Sequence, residues 1–312
     1  MVAVPGKNFT VAPTRRVVHR RSFLKTATAL AGGALLPDMA WSAPPANRAG
    51  TCVDLRCDNG KNQITPVKDQ DDPIPCNACT AFAVVAAVEG TYNKSQAQPV
   101  PGLDLDEKRL FNSSYSQPSG GCGTSHWWPK YALTACQHDG LAWESDPTRV
   151  VRIAGFRNLL DNNLIQTQRN IKDWLVDKGP VIAVMVQYED FSSWGKVWSE
   201  QNPGKPNPYV YEPGAQLDIC QPAATSPSVC QCEPAAAPAP TRPLKRTAGS
   251  PVGGHVVTII GFNDNSDPAS WICKNSWGDE WNGDGYVLIA RGDHPTKIKC
   301  YIDEIDVYGV WF

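Results

Sequence analysis

The stretch KNSWGDEWNGDGYVLIARG, residues 274–292, decides the fold of this chain. It contains the end of one short β-rich run, WICKN at 271–275, and all of a second run, YVLIA at 286–290. Short apolar runs bounded by asparagine and glycine predict two strands separated by a turn. Asn275 closes the first strand, where an asparagine is usually a turn former. A chemical role for Asn275 therefore depends on what lies beside it.

Two further apolar runs lie upstream, VIAVMV at 181–186 and HVVTIIGF at 255–262, and they also predict strands. His255 opens the second run, directly after Gly253 and Gly254. Of the five histidines only His255 has this setting, because His19 lies near the N-terminus and the other three lie in polar stretches. A single histidine there suits the core and catalysis equally well.

The first half of the chain is helical in pattern. The run CTAFAVVAAVEG at 79–90 is apolar on nearly all sides, which predicts a buried helix. Cys79 stands at its start, where the helix dipole and the backbone N–H groups lower a thiol pKa; the plainer alternative is an inert buried cysteine. Further helices are predicted at 127–135 and 165–177. Helices followed by strands predict an α+β fold of two lobes with a cleft between them.

Composition narrows the class of protein. The 312 residues carry a net charge of −2, which is ample length for a core. Residues 1–43 hold six basic residues and one acid, so the rest carries 23 basic and 30 acidic residues, or −7. With no basic patch in that remainder, nucleic acid is not expected as a partner. Eleven cysteines point to an oxidising compartment, and the odd number leaves one thiol unpaired.

The N-terminus predicts export. The run HRRSFLK at 19–25 resembles a twin-arginine motif and precedes an apolar block at 27–36, which is too short to span a bilayer. Small residues at 40–43 suit signal cleavage. We therefore expect residues 1–43 to be a signal peptide and the mature chain to be periplasmic or secreted, without a stable membrane anchor. A mitochondrial transit peptide is the alternative, because no acid precedes Asp38.

Over about residues 53–312 the chain resembles the papain-like cysteine peptidases. The stretches that carry the resemblance are ITPVKDQ…CNACTAFA, GGHVVTIIGF and KNSWGDEWNGDGYVLIARG. The resemblance implies a papain-like two-lobe fold in residues 44–312, with a helical lobe at about 75–178 and a β lobe at about 179–312. It also implies a monomer that hydrolyses peptide or protein substrates and uses no cofactor or metal.

The resemblance also assigns roles. Cys79 would be the nucleophile and His255 its base, while Asn275 would orient the imidazole and Gln70 would donate to the oxyanion. Trp277 would shield the hydrogen bond between Asn275 and His255 from water. Trp281 would form the floor of the cleft on the side that holds the leaving group. The expected substrate pocket is apolar, with Asp303 and Glu304 as acids that could reach into it. Its other expected residues are Trp128, Pro129, Val184, Gly254, Val256 and Ile305.

The sequence departs from the family pattern in four places. The spacing from Cys79 to His255 is 176 residues, longer than the 130–150 or so of relatives. A Pro/Ala-rich irregular insertion at about 201–251 accounts for the excess. Asp71 follows Gln70 in a lengthened oxyanion loop, Thr80 stands in place of a tryptophan, and GTSHWWP at 123–129 replaces a glycine pair.

The sequence gives one further expectation for the insertion and one for the N-terminus. The insertion ends at Pro251, four residues before His255, so it either restricts access to the cleft or is a surface excursion. Only about ten residues separate a cleavage near 43 from Val53. We therefore expect no maturation beyond signal removal.

The resemblance pairs Cys76 with Cys122 and pairs Cys300 with Cys220, Cys230 or Cys232. Two other uses of cysteine remain: a redox pair of Cys76 and Cys79, which lacks a βαβ context, and a zinc site at Cys230 and Cys232, which lacks a nearby histidine. Two rival functions also remain. One is an inactive peptide-binding relative; the other is an isopeptidase or transglutaminase that uses the same triad.

Overall fold

The computed structural model describes residues 51–72, 77–113, 128–207, 210–211, 249–292 and 299–312. The expected signal peptide and most of the insertion lie outside these residues. The helices are α1 Cys79–Ser95, α2 Glu107–Phe111, α3 Pro129–His138, α4 Leu164–Asp177 and α5 Glu189–Gln201, with a 3₁₀ turn at Trp281–Gly283. The strands are β1 Cys52–Asp54, β2 Leu141–Ala142, β3 Val150–Val151, β4 Gly155–Asn158, β5 Val181–Tyr188, β6 Val210–Tyr211, β7 Pro251–Asn263, β8 Ser270–Lys274, β9 Tyr286–Ala290 and β10 Asp306–Trp311. Among the described helices, none is long and apolar enough to cross a membrane.

Helix α1 is buried on nearly every side, as its composition predicts. Twelve of its 17 residues are buried. Gly90 lets it approach the loop before β5, since a Cβ there would lie 2.5 Å from the ring of Pro180. On the opposite side Thr258 Oγ1 of β7 donates to the carbonyl of Ala83 at 2.9 Å. These contacts fix the start of α1, and with it Cys79, against the long strand β7.

One large sheet dominates the second half. Its strands lie in the order β4-β10-β5-β7-β8-β9-β6, with β1 also paired to β7. All neighbours are antiparallel except β6 and β9, which are parallel. His255 lies opposite Met185 in the β5–β7 pairing, and Thr258 lies opposite Lys274 in the β7–β8 pairing. The start of β7 and the end of β8 therefore place His255 and Asn275 at the same edge of the sheet.

Two hydrophobic cores underlie the fold and confirm the α+β class. The first surrounds α1, α2 and α3 and includes Leu105 and Leu133. The second lies against the sheet and includes Phe262 and Trp271. The α+β class predicted from the sequence is the class observed.

Helix α4 lies in a different core from the one expected. The sequence placed residues up to about 178 in the helical lobe, but Ile171, Trp174 and Leu175 pack in the sheet core. Their spacing puts them on one face of an amphipathic helix, and that face covers the sheet. Conversely, Tyr308 and Val310 of β10 pack into the core around α1. The two cores thus interlock instead of dividing at one residue.

Part of the region predicted to be irregular is ordered. Tyr211 in β6 is fully buried, and its ring packs on Phe191 and Trp194 at 4.9 and 5.4 Å. The prediction of an insertion without strands from 201 onwards is therefore wrong at 210–211, because a buried aromatic anchors the chain there. The remainder of the insertion at 212–248 lies outside the described residues.

Candidate active site

His255 and Asn275 form the best-defined pair in the cleft. His255 Nε2 lies 2.8 Å from Asn275 Oδ1, and both side chains are buried. An amide oxygen only accepts hydrogen bonds, so Nε2 carries the proton. In the neutral ring Nδ1 is then the unprotonated nitrogen. Asn275 is itself held by its backbone N–H, which donates to Gly285 O at 3.0 Å.

Aromatic rings enclose this pair. The Trp277 ring lies over the His255 ring at 4.9 Å and 33°, and Phe191 lies 6.0 Å away on another side. Trp281 extends the cluster, with its ring 5.1 Å from that of Trp277. Because burial disfavours the charged ring, the pKa of His255 falls to about 4, although the bond to Asn275 acts in the opposite direction. The enclosure also excludes water from the bond between His255 and Asn275.

Cys79 begins α1 and lines the same cleft as His255. Burial raises the pKa of its thiol, while hydrogen bonds from the backbone at Val256 and from Thr80 act in the opposite direction. The expected lowering by the helix start is therefore wrong for the thiol taken alone, because desolvation outweighs it. The contact with Val256 nevertheless places the sulfur beside the residue that follows His255.

Gln70 is fixed to the segment that carries Asn275. Its backbone N–H donates to Ser276 O at 2.8 Å, and Ser276 Oγ donates to Gln70 Oε1 at 2.7 Å. Gly278 N also donates to Lys68 O at 3.2 Å, so the two segments run side by side. Ser276 therefore holds the carboxamide oxygen of Gln70 in place. Asp71 has not displaced Gln70, which lines the cleft with Cys79 and His255.

The cleft has a volume of about 1000 Å³, and its described walls include almost all of the predicted substrate residues. Ile305 is the exception, since it is partly buried against the core around α1. Asp303 is fully buried and accepts hydrogen bonds from Gln168, Trp271 and the backbone of Gly292, so it does not reach in. The predicted residues that line the cleft are Trp128, Pro129, Val184, Gly254, Val256, Trp277 and Trp281.

The cysteines differ from expectation. Cys52 and Cys57 are disulfide-bonded, which the resemblance did not imply. Cys300 carries a thiol here, so the expected disulfide from Cys300 to the insertion is not formed. Cys136 and Cys273 are also thiols, so the expectation of one leftover thiol is wrong. The predicted pair of Cys76 and Cys122 lies outside the described residues.

The sequence analysis did not predict the cluster of charged residues behind Asn275. Lys68 Nζ lies 2.6 Å from Glu107 and 3.5 Å from Glu89. Lys274 Nζ donates to Thr65 O at 2.9 Å and to Thr65 Oγ1 at 3.1 Å. Burial lowers the pKa of Lys274 to about 8. The cluster ties the end of β8 to the segment before Gln70. Lys274, directly before Asn275, was the signal in the sequence. A lysine usually indicates an exposed position, so it did not suggest a buried cluster.

The sequence analysis also did not predict helix α5, which forms one wall of the cleft. Ser192, Lys196 and Ser199 line the cleft, and Phe191 on the same helix contacts His255. The signal was the spacing of Phe191, Trp194 and Trp198, which are buried at helical intervals. Within the described residues, no group of three His, Cys, Asp or Glu side chains is placed to hold a metal.

Comparison with protein families gives a match at residues 50–205 and 245–310 to the family described as papain family cysteine protease. Cysteine proteinase A of Leishmania mexicana is 47% identical over 260 residues, which is 77% of this chain and 56% of that protein. The viral cathepsin of Cydia pomonella granulosis virus is 25% identical over 240 residues, covering 74% of this chain and 55% of that protein. The chain spans about half to two thirds of the length of these and the other first curated relatives.

Solved structures show the same fold. The bromelain protease of Ananas comosus in complex with the E64 inhibitor has a TM-score of 0.54 at 21% identity, covering 84% of this chain and 99% of bromelain. Procathepsin L2 from the larval midgut of Tenebrio molitor has a TM-score of 0.56 at 20% identity, covering 86% and 70%.

Proposed function

This chain belongs to the papain family of cysteine proteases, and we propose that it is a cysteine peptidase that hydrolyses peptide bonds through an acyl-enzyme on Cys79. The observation that carries the proposal is the bond between His255 Nε2 and Asn275 Oδ1, 2.8 Å long, in the cleft that Cys79 lines. This bond leaves Nδ1 of His255 as the nitrogen that takes the thiol proton. The substrates are peptides or proteins, and the chain acts on them without a cofactor.

Acylation begins with transfer of the Cys79 thiol proton to His255 Nδ1. The sulfur attacks the carbonyl carbon of the scissile bond, and the carbonyl oxygen becomes an oxyanion. The backbone N–H of Cys79 and Nε2 of Gln70 stabilise that oxyanion, and loss of one such donor costs about two to three decades in rate. His255 then returns its proton to the leaving nitrogen as the carbon–nitrogen bond breaks. Water, deprotonated by His255, hydrolyses the resulting thioester.

The buried pair favours a coupled ionisation. Burial opposes a charge on Cys79 alone and on His255 alone, since it raises the pKa of the thiol and lowers that of the imidazole to about 4. A thiolate beside an imidazolium is a different state, because opposite charges at close range offset each other's desolvation. The two groups then titrate as a pair. The shield formed by Trp277 strengthens this attraction by excluding water.

The acyl side of the cleft is apolar. Val184, Val256 and Pro129 line it, and Trp128, which also lines the cleft, is 45% exposed. With Asp303 engaged in the core, no acid among the described residues enters this wall. The pocket therefore accepts bulky aliphatic or aromatic side chains two residues before the scissile bond.

An oxidising location suits the chain. Cys52 and Cys57 are disulfide-bonded, and disulfides persist mainly in exported proteins. Together with the HRRSFLK motif at 19–25, this supports export to the periplasm or the medium.

The test of the proposed function is active-site titration. The chain from residue 44 onward is treated with an epoxysuccinyl inhibitor, and the labelled peptide is identified by mass spectrometry. We expect one equivalent on Cys79 together with complete loss of peptide hydrolysis. Cys136 and Cys273 are fully buried thiols in the same chain and serve as internal controls. Hydrolysis that survives full labelling of Cys79 would refute the mechanism.

A further inference from the structure

One face of α5 forms a polar wall beside Trp281. Ser192, Lys196 and Ser199 line the cleft at intervals of four and three residues, which places them on one side of the helix. Trp281 lies beyond Trp277 as seen from His255, with the two indole rings 5.1 Å apart. The apolar wall of Val184 and Val256 is a separate part of the cleft. We call the part beside Trp281 the leaving-group half, since it lies away from the acyl-side pocket.

Close packing fixes this wall in place. Gly195 lies directly against Trp281, where a Cβ would come within 2.2 Å of the indole. Trp281 Nε1 donates to Ser192 O at 3.4 Å, and Ser199 Oγ donates to Glu280 O at 2.8 Å. Helix α5 is therefore held to the Trp281 loop at both ends of the wall. Lys196, adjacent to Gly195, has a fixed backbone position at the rim.

Lys196 presents its charge to solvent and to the cleft. Its side chain is 75% exposed, and Glu200 is the one carboxylate among the described residues within 4.0 Å of its ammonium. Glu200 is also exposed, and an exposed pair of this kind is weak. The other charged residues that line the cleft are Asp71, which follows Gln70, and Glu280, which lies beside Trp281. Among the described residues, Lys196 is thus the one lysine or arginine that lines the cleft.

We propose that Lys196 selects substrates that carry a carboxylate on the leaving-group side of the scissile bond. The proposal rests on the peptidase function proposed above. An acidic side chain or the C-terminal carboxylate of a short leaving segment supplies the same chemistry. Because the lysine is exposed, the preference is modest, about two- to fivefold in kcat/KM at low salt, and salt weakens it. Glu280 opposes the same carboxylate and reduces the effect.

The test uses internally quenched peptides with amidated C-termini. Pairs of peptides differ only by Glu or Gln at each of the first three leaving-group positions, and kcat/KM is measured at low and high salt. We expect Glu to be preferred at one position, the preference to vanish in Lys196→Gln and to reverse in Lys196→Glu. Glu280→Gln should enlarge it. Lys178→Gln, an exposed lysine at the end of α4, is the matched control.

A second set of peptides distinguishes the source of the carboxylate. Short leaving segments without acidic side chains are compared as free acids and as amides. A preference confined to free acids identifies the terminal carboxylate, and one confined to Glu identifies a side chain. Equal kcat/KM for every pair, in an enzyme that titrates and hydrolyses normally, would overturn the role of Lys196 alone. Absence of hydrolysis with all peptides would instead overturn the peptidase function.

Discussion

Asn275 Oδ1 accepts a hydrogen bond from His255 Nε2 at 2.8 Å, although the two residues are 20 positions apart in the chain. His255 lies in β7, and Asn275 directly follows β8. The β7–β8 pairing holds them at one edge, with an irregularity between Ile259 and Gly261. The orientation of the imidazole therefore depends on sheet register as well as on the Asn275 side chain.

Removing this acceptor should reduce the chemical step. In Asn275→Ala the buried Nε2–H loses its partner and the ring is free to turn, so we expect kcat to fall about tenfold to a hundredfold. KM should change little, because Asn275 is shielded by Trp277. Steady-state kinetics on a peptide substrate measures both. Asn265→Ala, at an exposed asparagine, is the control; a change in KM alone would contradict the orienting role.

The pKa of His255 can be measured without its thiol partner. In Cys79→Ser the imidazole has no thiolate to stabilise its charge, so burial should leave its pKa near 4, as against about 6.5 when unfolded. A lowered folded pKa gives stability that is complete above pH 6.5 and is lost as the pH falls through 4. The loss amounts to about 3 kcal/mol. Titration of the imidazole by NMR tests this directly.

The matching stability experiment uses His255→Gln in the same Cys79→Ser background. The free energy of unfolding should fall more steeply between pH 6.5 and 4 when the histidine is present. Parallel curves, or an imidazole pKa at or above 6.5, would show that the site is more hydrated than its aromatic enclosure implies.

Ser276 should affect catalysis through Gln70, because its hydroxyl holds the Gln70 side chain. Gln70→Ala removes an oxyanion donor, so we expect kcat to fall by about two to three decades with little change in KM. Ser276→Ala removes only the hydroxyl that holds Oε1 at 2.7 Å, so its effect should be in the same direction and smaller. Kinetics of both variants and of the double variant separate the two. An effect of Gln70→Ala on KM alone would place its amide outside the oxyanion hole.

The sequence motifs predicted which residues come together at the cleft better than they predicted the surroundings of those residues. Cys79, His255 and Asn275 stand in short motifs next to a buried helix start or a strand, where local patterns are strong. The helix at 189–201 was not predicted, because the polar residues of the face that lines the cleft alternate in the sequence with the buried tryptophans and obscure their helical spacing. The pKa of Cys79 was predicted in the wrong direction, because helix position is visible in a sequence and desolvation by a distant strand is not.

Gly195 in α5 packs directly against the indole of Trp281. Helix propensity alone predicts that Gly195→Ala stabilises the protein by up to about 1 kcal/mol. The structure predicts the opposite, because the new methyl group would lie 2.2 Å from Cε2 of Trp281 and 2.4 Å from Nε1. An indole packed between α5 and Trp277 cannot yield without moving one of them, and overpacking of this kind costs about 1–3 kcal/mol.

We therefore expect a lower melting temperature for Gly195→Ala and a lower kcat/KM for peptides with long leaving segments. Peptides that end at the scissile bond in a small chromogenic group should be affected much less, since they do not reach Trp281. Glu200→Ala on the same helix adds no bulk against the indole and controls for changes in α5 itself. A higher melting temperature with unchanged kinetics would mean that α5 and Trp281 do not hold each other, and the wall that positions Lys196 would lose its support.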